Sequence, residues 1–325
     1  MLIYVYMFIL TFIITMLFSP LIFKLIKKIK AQQTILHHVK EHSSKQGTPT
    51  MGGIIFIVPV IIVCLCFFKT DFTLAIVSLA VFLAYGVLGF LDDFIKVKYK
   101  QNLGLRAYQK IIGQLGISLI VALFAYNFVG SELLIPFTDI TFNIGIWIIP
   151  LIVVTYVATV NSVNLIDGLD GLCSSVSIAY LLPFAVILLL SIQNINSMYA
   201  VELQNLALIS FALIGGLLAF LCLNGFPAKI FMGDTGSLAI GGFIASVSVF
   251  SKNILLIPIL GLMFVVTALS DIIQVAYYKK TKKRIFKMAP LHHHFQMSGV
   301  HENKIVFIYF VISFILNLIV CSFYI

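Results

Sequence analysis

Ten long apolar stretches divide this chain of 325 residues, and each is close to the length of a membrane-crossing helix. A helix needs about 20 apolar residues to cross the hydrocarbon core of a bilayer. The pattern therefore predicts an all-α fold, a polytopic integral membrane protein with about ten transmembrane helices. The predicted spans lie near residues 2–23, 52–68, 72–91, 107–128, 142–160, 174–192, 204–223, 236–251, 254–278 and 305–324.

The composition excludes an ordinary soluble domain. Hydrophobic residues make up 61% of the chain and charged residues only 10%, and the mean hydropathy is +1.11. Soluble globular domains carry roughly 25% charged residues. Because the ten spans use most of the length, we expect one transmembrane domain over residues 1–325 and no separate soluble domain.

The basic residues are distributed very unevenly over the predicted loops. Of the 21 lysines and arginines, 19 fall in loops that follow odd-numbered spans, and only Lys69 and Lys252 fall on the other side. The positive-inside rule places the odd loops in the cytoplasm and both termini outside. All seven histidines lie on the same side. The net charge of +9 is thus a topology signal typical of contact with anionic headgroups, and nucleic acid is not expected as a partner.

Two adjacent carboxylates, Asp92 and Asp93, stand at the cytoplasmic end of the third predicted span. Neighbouring carboxylates near a low-dielectric boundary are unfavourable unless a cation or a metal compensates them. Consecutive helical residues point about 100° apart, so this pair is not expected to act as one bidentate clamp. The alternative is a solvated helix end without a chemical role.

A second polar segment, residues 161–171, leaves the fifth span and carries two asparagines, two aspartates and two glycines. Such a loop offers many hydrogen-bonding groups and close backbone approach. It contains no basic residue, which distinguishes it from a simple membrane anchor. The segment predicts a binding loop, and the alternative is a polar turn in which Asp167 or Asp170 caps a helix.

A third polar segment, residues 224–237, leads into the eighth span with a glycine on either side of Asp234. Glycines let the backbone approach a phosphate, and the helix that follows offers its N-terminal amides to an anion. Mg²⁺ usually takes one or two protein carboxylates together with phosphates and waters. Asp234 is therefore the candidate metal ligand, and the alternative is that Asp234, Thr235 or Ser237 caps the helix.

Three successive histidines, His292 to His294, follow a basic run at residues 279–287. On the irregular loop expected here they cannot all face one point, which argues against a closed zinc site. They predict hydrogen bonding to phosphate or sugar, with one histidine titrating near neutral pH, and the alternative is a solvated loop.

A glycine-rich segment, residues 45–53, opens the second span. It lacks the Gly-Lys-Ser/Thr ending of a nucleoside triphosphate loop. Thr50 as a helix cap is the alternative to a phosphate-binding role.

Five segments, taken together and in this order, resemble the phospho-N-acetylmuramoyl-pentapeptide-transferase family within the polyprenyl-phosphate N-acetylhexosamine-1-phosphate transferases. They are residues 47–53 (GTPTMGG), 91–94 (LDDF), 161–171 (NSVNLIDGLDG), 227–238 (PAKIFMGDTGSL) and 289–295 (APLHHHF). The unbroken histidine run is similar to the muramoyl branch. After Phe295 the family usually has an acidic residue and a Gly-Trp pair, whereas this chain has Gln296 and Gly299-Val300.

The resemblance implies a Mg²⁺-dependent phosphoglycosyl transferase, multi-pass in the bacterial cytoplasmic membrane. Its donor would be UDP-MurNAc-pentapeptide, its acceptor undecaprenyl phosphate, and its products lipid I and UMP, in the first membrane step of peptidoglycan synthesis. Transfer of GlcNAc-1-phosphate from UDP-GlcNAc to a polyprenyl phosphate is an alternative. A multispan transporter is another, although transporters usually bind their substrates near the bilayer midplane. The oligomeric state is left open between a monomer and a homodimer.

The resemblance also assigns roles to individual residues. Asp234 would hold Mg²⁺ on the pyrophosphate, with His292 assisting beside it. Phe231 would stack on uracil, and Asp167 or Asp170 would read the base and the ribose. Phosphate charge would be neutralised by Mg²⁺, Lys96, Lys110, His293 and His294. The remaining pocket residues are expected to be Lys45, Thr50, Asn161, Asn164, Asn224 and Gln274.

Asp92 and Asp93 are expected to be catalytic, but their separate roles stay open. One could act as general base on the lipid phosphate in a direct displacement, or one could attack the β-phosphate to form a covalent intermediate. The direct route is favoured, because a lipid phosphate is largely ionised near pH 7 and already nucleophilic.

Overall fold

The computed structural model describes residues 2–28, 47–67, 72–99, 104–138, 140–192 and 197–324. Within these ranges the chain forms twelve α-helices and one pair of short β-strands. The helices are α1 (Leu2–Lys28), α2 (Ile54–Cys66), α3 (Thr73–Lys98), α4 (Ala107–Phe128), α5 (Ile148–Ile166), α6 (Leu172–Ser191), α7 (Ser197–Asn224), α8 (Gly233–Phe250), α9 (Ile257–Leu260), α10 (Leu262–Thr281), α11 (Leu291–Gln296) and α12 (Glu302–Ser322); the strands are β1 (Glu132–Leu134) and β2 (Thr141–Asn143).

The prediction of a helical, multi-pass membrane protein is confirmed. Nine helices among the described residues are long and apolar enough to cross a bilayer. The second predicted span, residues 52–68, is the exception, because α2 has only 13 residues. The ninth predicted span begins with a 3₁₀ turn and the short helix α9, and the long helix α10 follows.

The segment before α2 makes a backbone contact with the segment before α8. Gly52 and Gly53 donate their N–H groups to the carbonyl oxygens of Phe231 and Met232, at 2.9 and 3.0 Å, and Phe231 donates to Pro49 at 2.8 Å. The glycine-rich segment and the polar segment before α8 are therefore neighbours.

The strands β1 and β2 form an antiparallel pair in which Leu133 lies opposite Phe142. Lys252, just after α8, donates to the Glu132 carboxylate at 2.7 Å and accepts a hydrogen bond from Leu134 through its carbonyl oxygen. This small sheet was not predicted, since strands of three residues are too short to show a period in the sequence.

The helix α8 lies at the centre of the bundle. Every residue from Thr235 to Phe250 is buried, and α8 packs against α3 on one side and α5 on another. A helix that is surrounded by protein on all sides is apolar all round. The fold therefore fixes the N-terminus of α8, with Asp234 in its first turn, between the ends of α3 and α5.

The helices α3 and α8 touch backbone to backbone at Gly89. A Cβ atom at this position would overlap the carbonyl oxygen of Asp234. Small residues allow such close approach between membrane helices. Because Gly89 lies one turn before Asp92 and Asp93, this contact sets the distance from both carboxylates to Asp234.

Replacing Gly89 by alanine is expected to destabilise the protein by about 1–3 kcal/mol, as overpacking of a tight contact does. The measurement is the thermal unfolding midpoint of the protein in detergent. Gly116→Ala is the matched control, because nothing lies within 4 Å of a Cβ atom at that position on α4. Equal midpoints for the two variants would contradict the close approach of α3 and α8.

Candidate active site

The N-terminus of α8 is capped by a side chain from α3. The Asp93 carboxylate accepts hydrogen bonds from the Thr235 N–H at 2.9 Å, the Thr235 hydroxyl at 2.7 Å and the Asp234 N–H at 3.3 Å. The first N–H groups of a helix lack partners within the helix, and a carboxylate there also interacts favourably with the helix dipole. Asp93 is only 2% exposed, so the alternative of a solvated helix end is wrong.

The neighbouring carboxylate of Asp92 points elsewhere, as the spacing along a helix predicted. Its Oδ1 atom accepts a hydrogen bond from the Leu105 N–H at 2.8 Å, and its Oδ2 atom lies 2.6 Å from the Lys96 ammonium. Asp92 is 3% exposed. It therefore joins the end of α3 to the segment that leads into α4.

Asp234 lies at the centre of a polar cluster built from four helices. Its Oδ2 atom is 2.8 Å from the Lys110 ammonium and 3.1 Å from the Lys96 ammonium. Its Oδ1 atom accepts a hydrogen bond from the Asn164 amide at 2.7 Å, and that amide also donates to the Ser237 hydroxyl. The structure thus brings together residues from α3, α4, α5 and α8 that the sequence had identified separately.

Three carboxylates of this cluster are arranged as a cation site. Asp92, Asp93 and Asp234 each offer an oxygen atom, and these oxygens lie within 4.8 Å of one another. Carboxylate oxygens are the donors that Mg²⁺ takes in proteins. The Lys96 ammonium lies 2.6, 3.7 and 3.1 Å from oxygens of the same three residues, so it provides the compensating positive charge in this structure.

Two further loops meet beside the cluster. The Asp170 carboxylate accepts a hydrogen bond from the Ala228 N–H at 2.9 Å. The Asn224 side chain accepts one from the Gly171 N–H at 3.1 Å and donates to the Ile230 carbonyl oxygen at 2.9 Å. Phe231, which is half-buried, follows directly. The loops at residues 167–171 and 224–233 therefore form one wall of polar groups, and Phe231 belongs to the second of these loops.

Asp167 lies just beyond the last residue of α5, at the start of the loop at residues 167–171. Burial, together with the carboxylates of Asp234, Asp93 and Asp170, raises the pKa of Asp167 to about 8, and the Gly233 N–H opposes this shift. Its carboxyl group is thus largely protonated at neutral pH in the metal-free protein.

Replacing Asp167 by asparagine is expected to flatten the pH dependence of stability in the metal-free protein. An acid whose pKa rises on folding, here from 3.8 to about 8, holds its proton more tightly in the folded state. The free energy of unfolding of the unsubstituted protein therefore falls as the pH rises through this interval. Asparagine does not titrate, so the variant should gain stability relative to the unsubstituted protein between pH 6 and pH 9, roughly the upper part of that interval.

The check is the thermal midpoint in detergent with a chelator present, measured across that pH range. Glu132→Gln is the control, because Lys252 holds the pKa of Glu132 below its usual value and outside the range. Parallel curves for Asp167→Asn and the unsubstituted protein would show that Asp167 does not titrate there.

The histidines lie on the short helix α11, so the expectation of an irregular loop was wrong. His292 is fully buried, and neither of its ring nitrogens has a hydrogen-bond partner among the described residues. Burial and the adjacent His293 hold the pKa of His292 well below its usual value. A Cβ atom at Gly168 would overlap the Nε2 atom of His292. Neutral His292 therefore packs directly on the loop at residues 167–171.

Two predicted pocket residues instead hold the segment before α11. The Gln274 amide oxygen accepts hydrogen bonds from the Ile285 and Phe286 N–H groups at 3.1 and 3.0 Å. The Nδ1 atom of His294 accepts one from the Lys287 N–H at 3.1 Å. In their described contacts, Gln274 and His294 thus support the position of α11.

Two other predicted pocket residues, Thr50 and Asn161, lie against Gly233 and Gln114. Thr50 is 5% exposed, and its hydroxyl oxygen would lie 2.8 Å from a Cβ atom at Gly233. The N-terminus of α2 has no side-chain cap, so the capping role considered for Thr50 is wrong. Asn161 donates to the Gln114 side chain at 2.7 Å. Lys45 lies outside the described residues.

Sequence reasoning missed three residues that support the site. Thr235 had been considered only as a helix cap, whereas it donates to Asp93. Gln114 lies inside an apolar span, where a fully buried amide is itself a signal. Glu302 accepts a hydrogen bond from the Asp170 N–H at 2.6 Å, and no motif around it indicated this contact.

The class of this helical membrane protein is given by the family profile that it matches, that of a glycosyl transferase. Residues 74–252, more than half of the chain, match the profile of glycosyl transferase family 4, and residues 45–57 match the phospho-N-acetylmuramoyl-pentapeptide-transferase signature 1. The first match includes Asp92, Asp93, Lys96, Lys110 and Asp234.

Curated relatives narrow this class. A phospho-N-acetylmuramoyl-pentapeptide-transferase of Clostridioides difficile (strain 630) is 43% identical over 295 residues, which is 90% of this chain and 88% of that protein. One of Thermoanaerobacter sp. (strain X514) is 44% identical over 293 residues, 89% of each chain. One of Clostridium botulinum (strain Eklund 17B / Type B) is 43% identical over 296 residues, 91% of this chain and 88% of that protein. The chain belongs to the phospho-N-acetylmuramoyl-pentapeptide-transferase family, which sets the transporter alternative aside.

Proposed function

We propose that this protein transfers phospho-MurNAc-pentapeptide from UDP-MurNAc-pentapeptide to undecaprenyl phosphate, giving lipid I and UMP. The observation that carries the proposal is the cluster of Asp92, Asp93 and Asp234 with Lys96 and Lys110, in a chain of this family. Phosphoryl transfer depends mainly on positioning the phosphates and neutralising their charge. Such a cluster supplies both.

The donor atoms of the cluster fit a Mg²⁺ ion. Asp234 would hold the ion, with Asp92 as the second ligand. Asp93 is less suited, because its oxygens already accept three hydrogen bonds from the first turn of α8. When bound, Mg²⁺ would neutralise charge on the pyrophosphate of the donor. Lys96 shares these oxygens, so its ammonium group is free to move to a phosphate once another cation compensates the carboxylates.

Lys96 and Lys110 would bind the phosphates. Their side chains are 27% and 17% exposed, so both reach the open side of the cluster. Each lies within 3.1 Å of the same Asp234 oxygen, which places two positive charges at one point. Both ammonium groups could therefore contact the same phosphate group of the donor.

The contacts of Asp92 and Asp93 favour direct displacement. Asp93 is bound to α8, one oxygen of Asp92 is held by the Leu105 N–H, and the other is the one that would bind the metal in place of Lys96. Neither carboxylate is arranged to attack phosphorus. In the proposed step an oxygen of undecaprenyl phosphate forms a bond to the β-phosphorus of the donor. The bond from that phosphorus to the bridging oxygen breaks, and UMP leaves with the electron pair.

The wall formed by residues 167–171 and 224–233 would bind the nucleoside. Phe231 would stack on uracil, while Asn224 and Asp170 fix the loops and Asp167 offers a carboxyl group to the base or ribose. His292 is neutral and has two ring nitrogens without partners among the described residues. Because it is fully buried and packed on Gly168, it would act on the donor through the loop that it supports.

We also propose that the site faces the cytoplasm and that both termini lie outside. The positions of 19 of the 21 basic residues support this orientation. The protein would then be a multi-pass component of the bacterial cytoplasmic membrane in which the whole chain forms one catalytic domain.

The test is UMP release by purified protein in detergent with Mg²⁺, undecaprenyl phosphate and either UDP-MurNAc-pentapeptide or UDP-GlcNAc. We expect release with the muramoyl donor. Release with UDP-GlcNAc alone would assign the protein to the GlcNAc-1-phosphate branch. A folded sample that releases UMP with neither donor would contradict the proposed activity.

A further inference from the structure

Glu302 is a buried carboxylate in the first turn of α12. It is 6% exposed, and its Oε1 atom accepts a hydrogen bond from the Asp170 N–H at 2.6 Å. Burying a carboxylate is costly unless it is well hydrogen-bonded, and buried acids in membrane proteins commonly serve a function. Glu302 lies in the first turn of α12, and its short hydrogen bond joins this turn to the loop at residues 167–171.

The peptide that Glu302 holds lies between two anchored neighbours. The side chain of Asp170 accepts from Ala228, and the next residue, Gly171, donates to Asn224. Asn224 in turn donates to Ile230. Glu302 thus holds the backbone of a residue whose side chain and whose neighbour both join the two loops that form the proposed nucleoside wall, residues 167–171 and 224–233.

His301, the residue before Glu302, contacts the second loop of the wall, residues 224–233. The His301 ring packs edge-on against Phe226, with 5.1 Å between ring centroids. The first turn of α12 therefore touches the loop at residues 167–171 through Glu302 and the loop at residues 224–233 through His301. The carboxylate cluster, by contrast, is built around Lys96 and the first turn of α8.

We infer that Glu302 is a positioning residue for the nucleoside part of the donor. It holds the Asp170 backbone, so that Asp170, Asn224 and Phe231 present a preformed surface to uridine. This inference rests on the proposed function. A preformed surface lowers the ordering cost of binding, so loss of Glu302 weakens uridine nucleotide binding. The groups that act on the phosphates and on the lipid acceptor are left in place.

The test uses three variants of the full-length protein in detergent. Glu302→Ala removes the acceptor, Glu302→Gln keeps an oxygen at the same reach without the charge, and Asn303→Ala changes the exposed neighbouring residue as a control. UMP affinity is measured by calorimetry, and KM is determined separately for the donor and for undecaprenyl phosphate.

Glu302→Ala is expected to weaken UMP binding about tenfold, the size of effect that follows from one unsatisfied buried hydrogen-bonding group. The donor KM should rise by a similar factor, whereas kcat and the acceptor KM stay within about twofold, the pattern of lost ground-state binding. Glu302→Gln should recover most of the affinity, and Asn303→Ala should match the unsubstituted protein.

Three results would overturn the inference. They are unchanged UMP binding in Glu302→Ala, an acceptor KM that rises as much as the donor KM, and a Glu302→Gln variant as defective as Glu302→Ala. If Glu302→Ala does not fold, Glu302→Asp replaces it, because the shorter side chain keeps the charge but loses the reach; equal UMP affinity in Glu302→Asp and Glu302→Gln would then overturn it. A native protein that neither binds UMP nor releases it contradicts the proposed function instead.

Discussion

Replacing Asp234 by alanine is expected to reduce turnover by about a thousandfold or more, the loss seen when a central charge-stabilising group is removed from an active site. One carboxylate of the candidate cation site disappears, and Lys96 and Lys110 lose their shared partner. The measurement is UMP release across a wide range of Mg²⁺ concentration. Because the ligand itself is missing, additional Mg²⁺ should not restore the rate.

A matched control exists at the other end of the bundle. Glu132 also forms an ion pair with a lysine, Lys252, at 2.7 Å. Glu132→Gln should therefore remove a comparable pair without changing turnover. If Asp234→Ala kept activity at any Mg²⁺ concentration, Asp234 would not belong to the metal site.

Replacing Lys96 by methionine is expected to lower turnover by about a hundredfold, because a charge that binds the phosphates in the transition state is removed. The same change should strengthen divalent metal binding in the absence of substrates. The Lys96 ammonium lies within 3.7 Å of oxygens from all three carboxylates, and it therefore competes with a metal for them. The binding of Mn²⁺, followed by electron paramagnetic resonance, measures this competition directly.

Lys98→Met is the control, since Lys98 lies in the same last turn of α3 but is exposed. It should change neither turnover nor Mn²⁺ affinity. Metal binding that weakens in Lys96→Met would show that the lysine supports the metal and does not compete with it.

The sequence indicated separately several residues that the structure brings together, and the reason is physical. Polar groups at the end of a membrane helix are costly unless they have partners. Asp92, Asn164 and Asp234 were therefore each a signal of a functional site, even when considered separately. Alternating spans bring the ends of α3 and α5 and the start of α8 to the same side. The cluster around Asp234 follows from this alternation.

The division of work inside the cluster could not be predicted. Asp93 caps a helix that begins 140 positions later in the chain, and such a contact leaves no local pattern. The same applies to Glu302, whose partner Asp170 is 132 positions away. The histidine helix α11 was missed because a single turn and a half is too short for a hydrophobic period. Long-range packing decided these features.

The hydrogen bonds between Asp93 and the first turn of α8 have a consequence for how the protein is assembled in the membrane. Membrane helices insert individually and then associate, so α3 is in the bilayer before α8 has been synthesised. Until α8 arrives, the Asp93 carboxylate has no Thr235 to bind, and Lys96 and Lys110 have no Asp234 between them. We expect a chain in which α8 has not yet inserted to be inactive. Activity requires the contacts that α8 makes with α3 and α4 through Thr235 and Asp234.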